Sequence, residues 1–350
     1  MVASYKRHEL IFKRPSGTSR GVLTTKETWF IILHKNGKVG IGECGLLRGL
    51  SIDDVPSYEE KLKWVCANVD LGLNKLLEQL LDFPSIQFGL EQAFLSIKSD
   101  ATFELFPSSF TKEDAPIAIN GLIWMGSKEY MLEQIAEKIA SGFSCIKMKI
   151  GAIDFEEEIL LLNSIREKYT KEEIELRVDA NGAFAPNEAL AKLKILAQFN
   201  LHSIEQPIKQ GNWQQMSKLC AETPLAIALD EELIGITSLA EKRKLLKTIL
   251  PQYIILKPSL VGGFKGAVEW MNLAKEFNIK WWITSALESN LGLNAIAQWT
   301  YTLKNKLPQG LGTGSLFTNN FDSPLMVKNG KLYYRNDLSW QIDIIKHLCT

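Results

Sequence analysis

Apolar and polar positions change rhythm along the chain. Thr28 to Lys35 and Lys38 to Glu43 are two short apolar-rich runs separated by Asn36-Gly37, the pair that favours a tight hairpin turn, so a β-hairpin is predicted there. Tyr58 to Leu81 and Ser85 to Lys98 then carry apolar residues at helical spacing, with Pro84 between them as a breaker. From Ala115 onward short apolar runs alternate with helical stretches, the pattern of βα repeats around a parallel sheet. Strands are predicted over 116–120, 145–149, 176–179, 203–205, 225–230, 253–257 and 280–285, with an eighth near Gly310 to Gly314. Helices are predicted over 128–141, 155–169, 186–199, 212–222, 235–246, 264–277 and 292–304.

Eight repeats close a (β/α)8 barrel, whose active site lies at the C-terminal ends of the strands because the loops there vary without disturbing the core. The rhythm changes near Thr111, so a small α+β unit precedes an α/β barrel. The length of 350 residues suits that division, since such a barrel takes about 250.

Charge narrows the partners. Acidic and basic residues balance at 40 each, which gives no electrostatic reason for a nucleic-acid or anionic-membrane partner and leaves a small molecule. Cys44, Cys66, Cys145, Cys220 and Cys349 are scattered and odd in number, against a secreted disulfide framework. Met1 to Leu10 is polar and basic, and no apolar run approaches the roughly 20 residues of a spanning helix, so a cytoplasmic protein is expected. Oligomeric state is not legible.

The predicted strands end in ionisable groups: Lys147 and Lys149, Asp179, Glu205, Asp230 and Lys257. Each step is one βα repeat, so these positions face one mouth. One charged residue at a strand end is commonplace, but three carboxylates on successive strands repel one another unless a cation neutralises them. Hard oxygen donors suit Mg²⁺, with Mn²⁺ as a second possibility. Lys147 and Lys149 share side-chain parity and project together, where neighbouring positive charge is expected to depress a lysine pKa and make it a base. Such a set suits removal of a proton α to a carboxylate, with cationic groups stabilising the enediolate. Lys149 and Lys257 would cover opposite faces of the substrate. Asn181 either donates to a ligand carboxylate or caps the next helix; Glu231 is expected to point away and support a lysine.

The ordered set K-x-K at Lys147 and Lys149, D-x-N at Asp179 and Asn181, E-x-P at Glu205, D-E at Asp230 and K-P at Lys257 resembles the enolase superfamily, muconate-lactonising-enzyme subgroup, along nearly the whole chain. The resemblance implies a modified, TIM-like barrel with an N-terminal α+β capping domain, divided as 1–111, 112–320 and a tail 321–350 packing back on the cap. It implies Asp179, Glu205 and Asp230 as Mg²⁺ ligands and Lys149 and Lys257 as catalytic lysines. The segment Thr284-Ser-Ala-Leu-Glu-Ser-Asn-Leu-Gly-Leu293, with Gly310-Leu-Gly-Thr313, resembles a dehydratase branch of menaquinone synthesis. That implies loss of water from 2-succinyl-6-hydroxy-2,4-cyclohexadiene-1-carboxylate, with Lys149 as base and then acid on one face and Lys257 stabilising by charge. Gly262, Gly263 and the Ser285 to Ser289 loop either present N–H groups to the succinyl carboxylate or form a turn and a helix cap. In the candidate cap segment Gly45 to Ser51 only Arg48 is an obvious anion contact.

Other patterns lead elsewhere. Gly40-Ile-Gly-Glu-Cys-Gly45 satisfies G-x-G-x-x-G, but it ends a hairpin strand instead of opening a helix after a parallel strand. His8, His34, His202 and His347 are far apart, and none ends the sixth or seventh strand, against a mandelate-racemase-like base. Trp281-Trp282 reads as a strand with one ring in the core. The same scaffold also suits an N-acylamino acid racemase or dipeptide epimerase using two lysine bases, although Gly312 to Leu316 lacks the acid expected for a substrate ammonium. A non-catalytic binding barrel is the alternative of another class.

Overall fold

The computed structural model describes residues 1–18, 21–151 and 153–341; His347, Cys349 and the last part of the tail lie outside the described residues. The chain opens with an antiparallel sheet ordered β1 (Val2–Thr18), β2 (Gly21–Lys35), β3 (Lys38–Cys44). Asn36 and Gly37 connect β2 to β3 with φ of 52° and 76°, the left-handed pair that matches hairpin twist. The whole of β1 escaped the sequence reading. It forms a ladder with β2 and single bridges elsewhere, and most of its residues stay exposed or half-buried, so its pattern carries little apolar alternation. The expected 58–81 helix is two, Tyr58–Ala67 and Leu73–Glu78, because Gly72 at φ 78° breaks it.

The decoy glycines have a packing role. A Cβ on Gly42 would fall 1.9 Å from the Gly89 carbonyl oxygen and one on Gly40 2.4 Å from that of Ala93, so β3 lies directly on the helix Pro84–Lys98. Pro84 stands at the first turn of that helix, where its missing N–H costs nothing.

The barrel is a curled parallel sheet of seven strands: β5 (Gly121–Ile123), β6 (Cys145–Lys149), β7 (Glu175–Asp179), β8 (Ser203–Glu205), β9 (Ile227–Leu229), β10 (Tyr253–Leu256) and β11 (Lys280–Ile283), after β4 (Ile117–Ala118). Two predicted strands differ. The 116–120 run supplies β4, which pairs antiparallel with the C-terminal hairpin, and the first barrel strand starts only at Gly121. The eighth strand contracts to isolated bridges, Thr284 with Gly310 and Ile119 with Gln309, which close the ring. Intervening helices bury their apolar faces against these strands in one large core.

Below the mouth, side chains fill the barrel interior. Arg177, almost fully buried, lies 4.3 Å from the Trp282 ring centroid and donates to the Pro308 carbonyl at 2.9 Å. After the barrel, β12 (Leu325–Lys328) and β13 (Lys331–Tyr334) form a hairpin whose second strand pairs with β4. Trp340 packs on Phe103 with ring centroids 4.4 Å apart and the planes tilted by 33°. Among the described residues no helix is long and apolar enough to cross a membrane.

Candidate active site

Strand register assembles the site. Lys149 pairs with Asp179, Asp179 with Glu205 and Glu205 with Ala228, two residues before Asp230. Since alternate residues share a face, Lys147, Lys149, Asp179, Glu205 and Asp230 converge inside the mouth. Lys257 follows β10. The three acid-bearing strands β7, β8 and β9 therefore lie between the strands carrying the two lysines proposed from sequence.

Asp179, Glu205 and Asp230 are each no more than 2% exposed. Lys147 Nζ lies 2.9 Å from Asp179 Oδ2 and also contacts Glu205 Oε2. Lys149 Nζ donates to Asp179 Oδ2 at 3.1 Å and Asn181 Oδ1 at 2.7 Å, while Lys257 is paired with Asp230. Asn181, at φ 44°, also donates from Nδ2 to Glu231 Oε1 at 2.9 Å. It caps no helix in this arrangement; it ties Lys149 to Glu231. The cavity of about 350 Å³ above these groups is lined by Lys147, Lys149, Asp179, Asn181, Glu231 and Lys257 on one side.

The electrostatics correct one expectation. Burial would lower the Lys147 pKa, but the Asp179, Glu205 and Asp230 charges outweigh it and hold the ammonium well above its ordinary value. Lys257 is raised in the same way against burial, chiefly by Asp230 and Glu205. Neighbouring positive charge is outnumbered, so depression does not prevail at Lys147. Burial and the nearby Asp179 charge push Glu205 well up, whereas Lys147 and Lys149 hold Asp179 down despite burial.

Whether these residues suit a divalent cation can be tested on their own atoms. Among the described residues no three acids stand together in ligating geometry, and the Lys147 and Lys257 ammonium groups pair with these carboxylates. The donors are nonetheless hard oxygens on one face, and Glu205 Oε1 is buried without a hydrogen-bond partner. That donor chemistry fits a hard divalent cation.

A family model described as "Enolase C-terminal domain-like" matches residues 130–337, more than half the chain. The chain belongs to this enolase-like family. It is 50% identical to the o-succinylbenzoate synthase of Desulfotalea psychrophila, over 95% of this chain and 98% of that one. The crystal structure of MenC from the same organism superposes with a TM-score of 0.84 at 46% identity, covering 95% of this chain and 99% of that one. The L-Ala-D/L-Glu epimerase of Bacillus subtilis, solved as a substrate-liganded complex, shares the fold with a TM-score of 0.79 at 18% identity, covering 95% of each chain. Enolase-superfamily enzymes of this kind use a divalent metal, and their substrates are small molecules.

The remaining candidates are spread out. Ser285 lines the cavity, its hydroxyl 2.7 Å from that of Thr313. Ser289 does not line it: its backbone N–H donates to Glu43 at 2.9 Å and its hydroxyl caps the helix Asn290–Thr302. Gly262 and Gly263, at φ 94° and 73°, also lie off the cavity and form the turn into the helix Gly263–Glu276, where the Phe264 and Lys265 N–H groups donate to Glu91. Arg48 is ion-paired with Glu27 and Asp54 and does not line the cavity either. Sequence reasoning missed Lys13 and Arg14, which do line it. They sit on the unpredicted strand β1, and the only signal was a basic pair followed by proline.

Proposed function

We propose that this chain catalyses the o-succinylbenzoate synthase reaction, a Mg²⁺-dependent syn dehydration of 2-succinyl-6-hydroxy-2,4-cyclohexadiene-1-carboxylate to 2-succinylbenzoate in menaquinone biosynthesis. The observation that carries it is the 50% identity, along almost the full length of both chains, to a named o-succinylbenzoate synthase. Asp179, Glu205 and Asp230 would hold the Mg²⁺, with Mn²⁺ as a substitute. When bound, the ion supplies positive charge that stabilises the enediolate.

Lys149 takes the proton from C1, beside the carboxylate, and electron density moves onto that carboxylate. The C6–O bond then breaks, and the Lys149 ammonium returns its proton to the departing hydroxide. Water leaves, a C1=C6 double bond forms and the ring becomes aromatic. Asn181 Oδ1 holds the Lys149 amine toward the cavity. Lys257, across the acids from Lys149, contributes positive charge to the enediolate. Lys147 orders Asp179 and Glu205.

The division into a cap at 1–111, a barrel at 112–320 and a tail at 321–350 belongs to this proposal. So does a cytoplasmic location, which the free thiols of Cys44, Cys66, Cys145 and Cys220 support. The test follows the ultraviolet absorbance of the cyclohexadiene with purified protein and Mg²⁺, alongside N-acyl amino acids and dipeptides in D₂O. Loss of the diene signal is expected. An unchanged diene with α-deuteration of the amino-acid substrates would replace this reading with a racemase or epimerase; inertness toward all of them would favour a binding barrel.

A further inference from the structure

The substrate proposed above carries two carboxylates, and the lysine and acid ring meets only the one beside the reacting carbon. Arg48, the expected contact for the other, is held by Glu27 and Asp54 away from the cavity.

The geometry of β1 supplies a different candidate. Its ladder with β2 runs regularly from Val2 to Ile11 and resumes at Ser16, but residues 12–15 face Thr24 alone. On both sides of this break the strand is fastened to the barrel. Phe12 bridges Phe317, the Lys13 N–H donates to the Leu316 carbonyl at 2.8 Å, and Gly17 bridges Met125. A Cβ on Gly17 would stand 2.7 Å from the Met125 carbonyl oxygen, so the contact is tight. The segment Lys13 to Ser16 is therefore a strap running from the loop after the eighth repeat to the loop after β5.

Lys13, Arg14, Pro15 and Ser16 in succession line the cavity that holds Lys149 and Lys257, as a strap across its mouth does. Among the described residues neither cation has an acidic partner within ion-pairing distance. Leu23, Leu47, Leu50, Leu287 and Leu316 supply apolar wall nearby. Two cations with no acidic partner among the described residues, beside an apolar wall, suit an anionic group at the end of an alkyl chain, and the guanidinium fork matches a carboxylate in two parallel hydrogen bonds.

We propose that Arg14, assisted by Lys13, is the specificity-determining contact for the distal succinyl carboxylate. This rests on the function proposed above. The test measures KM and kcat on the diene, and Kd for 2-succinylbenzoate and for its ester at the succinyl carboxylate. Proteins compared are wild type, Arg14→Met, Arg14→Lys and the double variant Lys13→Met/Arg14→Met. Loss of a charge-assisted pair should raise KM and the 2-succinylbenzoate Kd of Arg14→Met by about 10- to 100-fold, with kcat within about threefold. The ester should bind wild type and Arg14→Met alike, and Arg14→Lys should recover part of the affinity. If the double variant binds 2-succinylbenzoate as tightly as an active wild type, the anchor is refuted while the function stands. An equal loss for diacid and ester would also refute it, because lost packing would then explain the effect. A wild type that neither consumes the diene nor binds 2-succinylbenzoate would overturn both.

Discussion

Replacing Glu43 with alanine should cut the joint between the N-terminal sheet and the barrel. Glu43 is fully buried on β3 and accepts hydrogen bonds from Thr28 Oγ1 at 2.8 Å, Ser289 N at 2.9 Å, Ser289 Oγ, and Gly292 N at 2.8 Å. The last three lie in the first turn of the helix Asn290–Thr302, where a carboxylate also meets the positive end of the helix. In Glu43→Ala the hydroxyls have other partners, since Thr28 Oγ1 also donates to Cys44 O and Ser289 Oγ accepts from Leu291 N. The backbone donors of Ser289 and Gly292 do not. Two buried orphaned N–H groups at about 1–3 kcal/mol each, with the lost helix interaction, give a destabilisation of about 4 kcal/mol. Glu43→Gln keeps an acceptor and should lose about half of that. Urea titration followed by circular dichroism would measure it as a fall in midpoint at constant slope. A loss under about 1 kcal/mol for the alanine variant would refute this account of the joint.

Gly42→Ala should destabilise by about 2 kcal/mol or more, read as a lower Tm, because backbone cannot yield to a Cβ 1.9 Å from the Gly89 oxygen. Glu91 should give stability a slope with pH. Burial raises its pKa from 4.5 to about 7 in the folded chain, so the native state binds more protons between those values and stability falls as pH rises through that window. Glu91→Gln should flatten that part of a plot of urea midpoint against pH, and an unaltered slope would count against it. Saturating Mg²⁺ should raise the Tm of wild type, by the equivalent of about 2.7 kcal/mol at 100 times its Kd, and Glu205→Gln should lose most of that gain.

How much could be read in advance depended on how each element buries its side chains. Strands β6 to β10 each lead into an ionisable group at the C-terminal end, so their order and the convergence of Lys149, Asp179, Glu205, Asp230 and Lys257 could be anticipated from spacing and side-chain parity. The eighth strand, expected near Gly310 to Gly314, is reduced to bridges at Gln309 and Gly310, and two bridging residues carry no periodic signal. Strand β1 was illegible for the opposite reason. It covers the cavity with cations and leaves much of its length exposed, so nothing in its alternation marks a strand, and Lys13 and Arg14 stayed hidden with it. Arg48 misled because sequence cannot show that Glu27 and Asp54 already hold it. Ser289 and Gly263 are polar or small for reasons of capping and close packing against Glu43 and Glu91, which only the fold brings near them.

The most direct measurement of the central claim is the turnover of Lys149→Ala on the cyclohexadiene, with Mg²⁺ affinity determined on the same preparation. Lys149 moves the proton in both halves of the proposed reaction but is no metal ligand. The account predicts a fall in kcat of at least about 10³-fold, with Mg²⁺ affinity changed little. Near-normal turnover by Lys149→Ala would contradict it.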